Sequence, residues 1–378
     1  MENLKVIVSG GGTGGHIFPA ISIANELKER YPQTEILFVG ALGKMEMERI
    51  PAAGFPIVGL PVMGFPRKPS FGMLTFFLKL FRSMRLANRV IDDFKPDVVI
   101  GVGGFASGPI LKAAVRKRVP AVLQEQNSYA GVTNKLLAVD VDKICVAYPN
   151  MSRYFPVDKI VFTGNPIRKN LLNAVVNKDE AFEQFGLKTE KPVVLVVGGS
   201  LGARSLNESV MANLELIGKS EVQILWQTGS FYHKEMLARL GSDYPENLLP
   251  MKFISRMDLA YAVADVVISR AGAGTISELC LLGKPSVLVP SPNVAEDHQT
   301  KNATTLVDNQ AALLIKDADS KDHLWLETFK LLDDKPQLKS LSQNILKLAR
   351  PNAAKDIVDV IIDVVNRRNQ KRESALTV

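Results

Sequence analysis

The sequence predicts an α/β protein made of two doubly wound domains, each built on a parallel sheet. Its 378 residues are too many for one ordinary hydrophobic core and suggest two domains of roughly 150 to 200 residues. Short runs that are apolar throughout alternate with helical segments, which is typical of parallel strands covered on both faces. The two halves also open alike, with a strand that enters a glycine-rich turn.

The first series of strand-like runs begins at residue 5. Strand-like runs lie at 5–9, 35–39, 56–60, 98–101, 121–123, 143–147 and 160–163. The segment 18–30 places Ile21, Ala24 and Leu27 at helical spacing, so the first strand leads into a helix.

The second series has strand-like runs at 192–197, 222–227, 251–254, 266–269, 286–289 and 312–315. Glycine and proline interrupt the pattern at 164–166, so we place the domains at 1–164 and 165–350.

Glycine-rich turns follow three of these strands, at 10–15, 101–108 and 198–203. Such a turn lets a ligand approach the backbone, and the free N–H groups of the following helix attract an anion. Gly10, Gly12 and Gly15 also fit the dinucleotide-binding fingerprint. That reading requires a carboxylate at the end of the second strand, where the chain reads Gly40-Ala41-Leu42-Gly43 instead. We therefore favour a diphosphate ligand over NAD.

The composition is that of an ordinary globular protein, with 46% hydrophobic and 22% charged residues. Cys145 and Cys280 lie in apolar runs and are expected to be buried free thiols, as in a reducing compartment. The immediate first strand leaves no room for a signal peptide, and no apolar run is long enough to span a bilayer. A net charge of +7 favours anionic partners, while the lack of interleaved aromatics argues against nucleic acid.

Two side chains are candidates for a general base. His16 directly follows the first glycine turn, and its ordinary pKa lies near neutrality. The alternative is a histidine that orients a ligand or caps the helix. Glu125 ends a strand beside Gln124, Gln126 and Asn127, where open sheets bind ligands; its alternative role is to fix a loop.

In the second half, small residues at 271–277 would let a ligand lie against a helix start. Glu278 follows them, and its carboxylate could accept two hydrogen bonds from a ribose diol or simply favour the helix dipole. The pairs Asp140/Asp142 and Asp317/Asp319 match a metal-binding D-x-D pattern but lie in polar turns, so no metal is expected. A leaving diphosphate would then be stabilised by helix N-termini and a cation such as Arg168.

The segment 67–89 combines aromatic and basic residues. It is too short and too charged to span a membrane, and it resembles a basic interfacial helix that contacts anionic headgroups. The alternative is a core helix with a basic outer face.

Together these motifs resemble glycosyltransferase family 28, and within it the peripheral membrane N-acetylglucosaminyltransferases of peptidoglycan synthesis. The resemblance covers almost the whole chain and rests on GGTGGH with Phe18-Pro19, GGFASGP, EQN, GNPIR, GGSLGA, AGAGTISE and DHQTKNA, in the family's order.

The resemblance implies a GT-B fold, with two Rossmann-like domains facing across a cleft and a C-terminal helix at about 351–368 that packs back on the first domain. It also implies a metal-independent, cofactor-free, inverting transfer of N-acetylglucosamine from UDP-N-acetylglucosamine to the muramoyl 4-hydroxyl of lipid I, at the cytoplasmic face of the cell membrane.

The resemblance also implies roles for single residues. His16 becomes the leading base, with Glu125 as the other catalytic candidate. Carried over by motif, the donor site comprises Thr13, Gly14, Gly15, Asn127, Arg168, Ser200, Ile254, Ala273, Gly274, Thr275, Ile276, Ser277, Glu278 and Gln299, and the acceptor diphosphate site comprises Gly12, Gly103, Gly104 and Ser107.

One departure concerns the residue before the EQN motif, which is often histidine in the family and is Gln124 here. A proton role for that histidine cannot operate in this chain. Rival functions on the same scaffold are a UDP-sugar 2-epimerase, a transferase acting on diacylglycerol, and a non-catalytic nucleotide-sugar sensor.

Overall fold

The computed structural model describes residues 3–64, 72–168, 171 and 176–376, and the chain divides into two compact units. The first unit comprises Met1–Arg168 together with Pro351–Val378, and the second comprises Lys169–Arg350. Both are α/β units built on wholly parallel sheets, which confirms the predicted fold class.

The first unit holds a seven-stranded sheet in the order β3-β2-β1-β4-β5-β6-β7. The strands are β1 (Lys5–Ser9), β2 (Glu35–Ala41), β3 (Ile57–Leu60), β4 (Val98–Gly101), β5 (Ala121–Glu125), β6 (Lys143–Val146) and β7 (Ile160–Phe162). The helices are α1 (Gly14–Arg30), α2 (Glu46–Ala52), α3 (Gly72–Phe94), α4 (Ser107–Arg116) and α5 (Val132–Leu137), with the C-terminal helix over Ala353–Leu376.

The core of the first unit lies on both faces of this sheet. One face packs against α3 and α4 through residues such as Ile91 and Ile110, and the other packs against α1. The C-terminal helix covers this second face, where Ile357, Ile361 and Val365 are buried beside α1. Strands that are buried on both faces are apolar throughout, so their positions were readable from the sequence.

The second unit holds a six-stranded sheet in the order β10-β9-β8-β11-β12-β13. The strands are β8 (Val193–Val197), β9 (Gln223–Gln227), β10 (Leu248–Met251), β11 (Val266–Ser269), β12 (Ser286–Leu288) and β13 (Leu313–Leu314). The helices, numbered on from α5, are α6 (Lys178–Phe185), α7 (Arg204–Ala212), α8 (Leu214–Gly218), α9 (His233–Leu240), α10 (Met257–Val263), α11 (Ala273–Leu282), α12 (His298–Asp308), α13 (Ser320–Asp333) and α14 (Lys335–Lys347); the C-terminal helix (Ala353–Leu376) is α15.

The strand predicted at 251–254 is wrong in position, because β10 spans Leu248–Met251. Pro250 pairs within the strand opposite Trp226 of β9. Proline is tolerated there because β10 is an edge strand, whose second side has no neighbouring strand to receive its N–H groups.

Both sheets reverse their strand order at the place where the glycine turns occur. The reversal lies between β1 and β4 in the first unit and between β8 and β11 in the second. Ligands of open α/β sheets bind outside the carboxyl ends of the strands at such a reversal. The fold therefore places one candidate site in each unit.

Both cysteines are free and buried, as the sequence predicts. Burial raises the pKa of Cys145 and of Cys280 to about 12. None of the helices over the described ranges has the length and apolar character needed to cross a bilayer.

Candidate functional site

The first and second glycine turns interlock at the strand reversal of the first unit. Gly104 has a φ of +89°, and a methyl group on it would lie 2.4 Å from the carbonyl oxygen of Gly11. Gly103 has a φ of +98°, and a methyl group there would lie 2.7 Å from Nε2 of His16. Glycine is required at both positions, because any side chain would push the two turns apart.

His16 lies on the first turn of α1 and is half-buried between these glycine turns. Its Nδ1 is 3.0 Å from the Gly11 carbonyl oxygen. A carbonyl can only accept, so Nδ1 carries the proton and Nε2 carries the lone pair. The side chain thus has the tautomer that a base acting through Nε2 requires.

Glu46, at the start of α2, is a site residue that the sequence analysis missed. It is fully buried, and its two carboxylate oxygens accept from the N–H groups of Gly12 and Ala41, each at 2.9 Å. Glu46 already takes the Gly12 N–H, and the use of Gly12 in binding a diphosphate stays a prediction. A single buried glutamate in a polar segment gave no signal that would distinguish it from Glu48.

The other residues predicted near these turns have different environments. Thr13 is the exposed N-cap of α1, and its carbonyl accepts from the N–H groups of His16 and Ile17. Gly14 and Gly15 form the first two positions of the helix.

Ser107 begins α4 and is buried. Its hydroxyl donates to the carbonyl oxygens of Ser9 and Gly103, at 3.0 and 2.8 Å. The hydroxyl therefore closes the second glycine turn from within. The anion-binding role that the sequence predicts here would fall to the backbone N–H groups at the start of α4.

Glu125, at the end of β5, is 2% exposed. Its carboxylate accepts from the N–H groups of Asn127 and Gly131 and from the side-chain amide of Asn134, at 3.0, 2.9 and 2.8 Å. Burial raises the pKa of Glu125, while these donors hold the pKa below the value that burial alone would give. The carboxylate fixes the loop that carries Asn127, which is the alternative role given above, and a role of Glu125 as a base stays a prediction.

Gln124, where the family often has histidine, is fully buried. Its amide donates to Asn165 at 3.0 Å and accepts from Gln126, whose backbone carbonyl accepts from Asn165 in turn. Three amides therefore satisfy one another at the end of β5. Gln124 acts as a structural residue, with no proton to exchange near neutral pH.

Arg168 is the last described residue before the chain enters the second unit. Its guanidinium lies over the Phe18 ring, 5.3 Å from the centroid. Phe18 also contacts the start of α1, since a methyl group on Gly14 would lie 3.2 Å from its ring. Arg168 thus adds positive charge beside the first glycine turn.

In the second unit, the turn at 198–203 packs against the turn after β9. A methyl group on Gly202 would lie 2.2 Å from the Thr228 carbonyl, and one on Gly229 would lie 2.1 Å from the Gly202 nitrogen. Ser200 is exposed on this turn, and its carbonyl accepts from Ser230. The turn leads into α7, whose N-terminus is suited to an anion.

Gln227 links this turn to Ile254. Its amide donates to the Gly199 carbonyl at 3.0 Å, and its Oε1 accepts the Ile254 N–H at 2.8 Å. Since that N–H is engaged, the backbone carbonyl of Ile254 is the polar group that can accept a hydrogen bond from a ligand. Gln227 is a second residue that the sequence analysis missed.

The start of α11 is open. A methyl group on Gly274 would have no atom within 4 Å, although the position is helical and costs stability relative to alanine. Thr275 and Ser277 are half-exposed on the same turn, while Ala273 and Ile276 are buried. Nothing in the fold requires glycine at 274, as expected if a ligand lies against this turn.

Glu278 lies in the second turn of α11, so the alternative of a first-turn charge on the helix dipole is wrong. Its Oε2 accepts from the Tyr261 hydroxyl at 3.0 Å. A carboxylate has about four lone-pair sites, so it can accept several hydrogen bonds at once. Gln299, near the start of α12, is half-buried, and its Oε1 accepts the Ser291 N–H at 2.8 Å, which aligns its amide group.

Both D-x-D pairs have structural partners. Asp140 forms an ion pair with Lys112, and Asp142 accepts from the Ala121 N–H. Asp317 pairs with Arg270. No group of three histidine, cysteine or acidic side chains within the described part of the chain could hold a metal ion.

Helix α3 has two different halves. Its C-terminal half packs into the core through Ala87, Val90 and Ile91. Its N-terminal half carries large apolar side chains that are 36–64% exposed: Leu74, Phe77, Leu78, Leu80 and Phe81. Arg82, Arg85 and Arg89 are exposed on the same helix. The core-helix reading thus describes the C-terminal half, and membrane contact by the N-terminal half stays a prediction. The predicted residues 67–71 lie outside the described residues.

The sequence matches the glycosyltransferase family 28 N-terminal domain over residues 6–146 and the family's C-terminal domain over residues 193–359. A curated relative from Parabacteroides distasonis is 54% identical, with 97% of this chain and 100% of the relative covered. It is named UDP-N-acetylglucosamine--N-acetylmuramyl-(pentapeptide) pyrophosphoryl-undecaprenol N-acetylglucosamine transferase.

The chain is also similar to solved structures along nearly its whole length. The crystal structure of MurG from Acinetobacter baumannii is 29% identical, with a TM-score of 0.76 and coverage of 96% of this chain and 100% of that one. A UDP-N-acetylglucosamine 2-epimerase structure is 16% identical, with a TM-score of 0.65 and 96% coverage of both chains. At that identity the epimerase likeness shows the fold alone. The fold is the GT-B fold, with two parallel-sheet α/β domains.

Proposed function

The chain belongs to glycosyltransferase family 28, and on that premise we propose that it transfers N-acetylglucosamine from UDP-N-acetylglucosamine to lipid I, the undecaprenyl diphosphate of N-acetylmuramoyl pentapeptide. The product is lipid II, which places the enzyme in peptidoglycan synthesis and hence in cell-wall growth and division. The observation that carries the proposal is 54% identity, over nearly the full length of both chains, to a relative named for this reaction. The 2-epimerase reading has only a likeness of fold behind it.

The second unit is the donor-binding unit in this proposal. The N-terminus of α7 behind Ser200 and the open start of α11 at Gly274 both suit the UDP diphosphate. Glu278 would accept from the ribose hydroxyls, and the Ile254 carbonyl would accept from uracil. Gln299 would bind hydroxyls of the sugar through its aligned amide.

The first unit binds the acceptor. Its anion site is the start of α4 after Gly103 and Gly104, together with the start of α1. The lipid diphosphate would be held there by backbone N–H groups, while Arg168 would meet the diphosphate of the donor. Negative charge is stabilised in this way without a metal ion.

His16 is the base in this mechanism. The muramoyl 4-hydroxyl attacks the anomeric carbon of N-acetylglucosamine from the side opposite UDP, so the configuration inverts. A bond forms between the hydroxyl oxygen and that carbon, and the bond from the carbon to the UDP oxygen breaks. The hydroxyl proton passes to Nε2 of His16, whose Nδ1–H stays bonded to Gly11.

The exposed half of α3 is proposed to rest on the membrane surface. Its apolar side chains would enter the headgroup region while Arg82, Arg85 and Arg89 meet anionic lipid. This placement would bring the enzyme to the cytoplasmic face of the membrane, where its lipid-linked acceptor is anchored.

The test is UDP release from UDP-N-acetylglucosamine in the presence of EDTA. Release that requires a lipid I analogue supports the proposal. Release without acceptor, or conversion of the donor to its 2-epimer, contradicts it. An H16Q variant should retain UDP binding and lose about 10²–10⁴-fold in rate, which is the usual contribution of a positioned base.

A further inference from the structure

We propose that Glu46 is a positioning residue that sets the tautomer of His16 through one peptide group. The inference rests on the proposed function, in which His16 accepts the acceptor proton. It concerns a residue that touches neither substrate and that lies on α2, outside the glycine turns.

The two hydrogen bonds that carry the inference lie on opposite sides of the same peptide group. The Gly11 carbonyl accepts from Nδ1 of His16 at 3.0 Å. The Gly12 N–H, which belongs to the same peptide unit, donates to Oε2 of Glu46 at 2.9 Å. The arrangement is therefore a carboxylate, a peptide group and an imidazole in series.

This peptide group lies between two glycines, so no Cβ atom opposes its rotation. A flip would turn the Gly12 N–H toward Nδ1 of His16. Nδ1 would then have to accept, the proton would move to Nε2, and the base would be lost. Glu46 opposes the flip because a carboxylate only accepts and would face the Gly11 carbonyl oxygen.

The carboxylate is itself held in place. Its other oxygen accepts from the Ala41 N–H at 2.9 Å, at the end of β2. Methyl groups added at Gly11 and Gly40 would lie 2.1 Å from Oε1 and 2.6 Å from Cγ of Glu46. Two glycines thus make room for this side chain, which is fully buried.

The series also affects the charged state of the base. When Nε2 takes the acceptor proton, the imidazolium is stabilised through its Nδ1–H bond to Gly11. A carboxylate bonded to the N–H of that peptide group polarises its carbonyl and strengthens the bond. Glu46 therefore favours both the correct tautomer before proton transfer and the charge after it.

The first test is the tautomer of His16 in the wild-type protein. Nitrogen-15 NMR of the histidine-labelled full chain, with the His16 signals identified by their loss in H16Q, distinguishes the two neutral forms. The inference predicts the Nδ1–H form. The Nε2–H form in the wild type would overturn the inference, whether or not any variant folds.

The second test compares E46Q with E48Q, an exposed glutamate on the same helix. E46Q should shift His16 toward the Nε2–H tautomer and lower kcat about 10–100-fold, with the KM for UDP-N-acetylglucosamine unchanged. E48Q should match the wild type. In an H16Q background, E46Q should cause little further loss, because its effect passes through His16.

The same factor of loss in both backgrounds, or a wild-type tautomer in folded E46Q, would contradict the inference and assign Glu46 a merely structural role. Absence of lipid I-dependent transfer by the wild type would contradict the proposed function instead. The NMR result would still show whether Glu46 fixes the orientation of the Gly11–Gly12 peptide group and, through it, the tautomer of His16.

Discussion

At the scale of single residues, the proposed donor site contains a glycine that the fold does not need. Gly274 has helical geometry, and a side chain there would point into open space. Alanine at this position should raise the free energy of unfolding by about 0.4–1 kcal/mol, because the unfolded chain loses freedom. The same methyl group should weaken UDP binding, since the nucleotide is proposed to lie against this turn.

The measurement pairs urea unfolding with calorimetric titration of UDP for G274A and for S340A. Ser340 is exposed on α14, so its replacement tests a helix substitution that lies outside the proposed site. Unchanged UDP affinity in G274A would rule out close contact between the nucleotide and the start of α11.

Also at this scale, some candidate site residues were recognisable from sequence and others were not. His16 and Glu278 stood out because they directly follow glycine-rich or small-residue turns at strand ends. Glu46 and Gln227 gave no such signal, because their roles depend on which backbone N–H groups the fold brings to them. Glu125 was recognisable as a site residue, but its burial and hydrogen bonds, which decide its role, are tertiary properties.

At the scale of elements, helix α11 ends beside a half-buried lysine whose ionisation affects stability. Lys284 follows the left-handed cap Gly283, and its Nζ donates to the Ala264 carbonyl at 2.8 Å. Burial lowers the pKa of Lys284 from 10.5 to about 8. The unfolded chain therefore holds this proton more tightly, and the cost of burying the ammonium disappears as the pH rises from about 8 to about 10.5.

We expect the wild type to gain up to about 3 kcal/mol in free energy of unfolding relative to K284M across this pH range. Denaturant unfolding at a series of pH values measures the difference, with K339M as an exposed control on α14. Parallel pH curves for the wild type and K284M would contradict the prediction.

Helix α3 gives the second prediction at this scale. Phe77 and Phe81 are 55% and 61% exposed, so replacing both with serine removes apolar surface without opening the core. F77S/F81S should lose binding to anionic vesicles, while stability changes by no more than about 0.5 kcal/mol per site. Vesicle sedimentation measures the binding, and L326S, which changes an exposed leucine on α13, serves as the control. Equal sedimentation of F77S/F81S and wild type would exclude this surface as the membrane contact.

The elements themselves were largely predictable. Strands such as β1, β4 and β11 match their predicted bounds because fully buried strands are continuous apolar runs. β10 was misplaced because an edge strand is only partly buried and tolerates Pro250. The division of α3 into a core half and an exposed half was not predictable, since the same amphipathic pattern continues through both.

At the scale of the whole molecule, the chain repeats one plan twice. Each unit reverses its strand order where glycine turns follow the central strands. The last helix then returns to the first unit, where Ile357 and Ile361 are buried. Its apolar spacing was compatible with this placement, but a single amphipathic helix does not specify which sheet it covers.

The most direct test of the account is a transfer assay with UDP-N-acetylglucosamine radiolabelled in the sugar. The full chain is given a lipid I analogue or diacylglycerol, each in anionic vesicles with EDTA. The account predicts that label moves to the lipid I analogue alone and that the new linkage has inverted configuration. Label on diacylglycerol, or label released as free sugar with both acceptors, would contradict it.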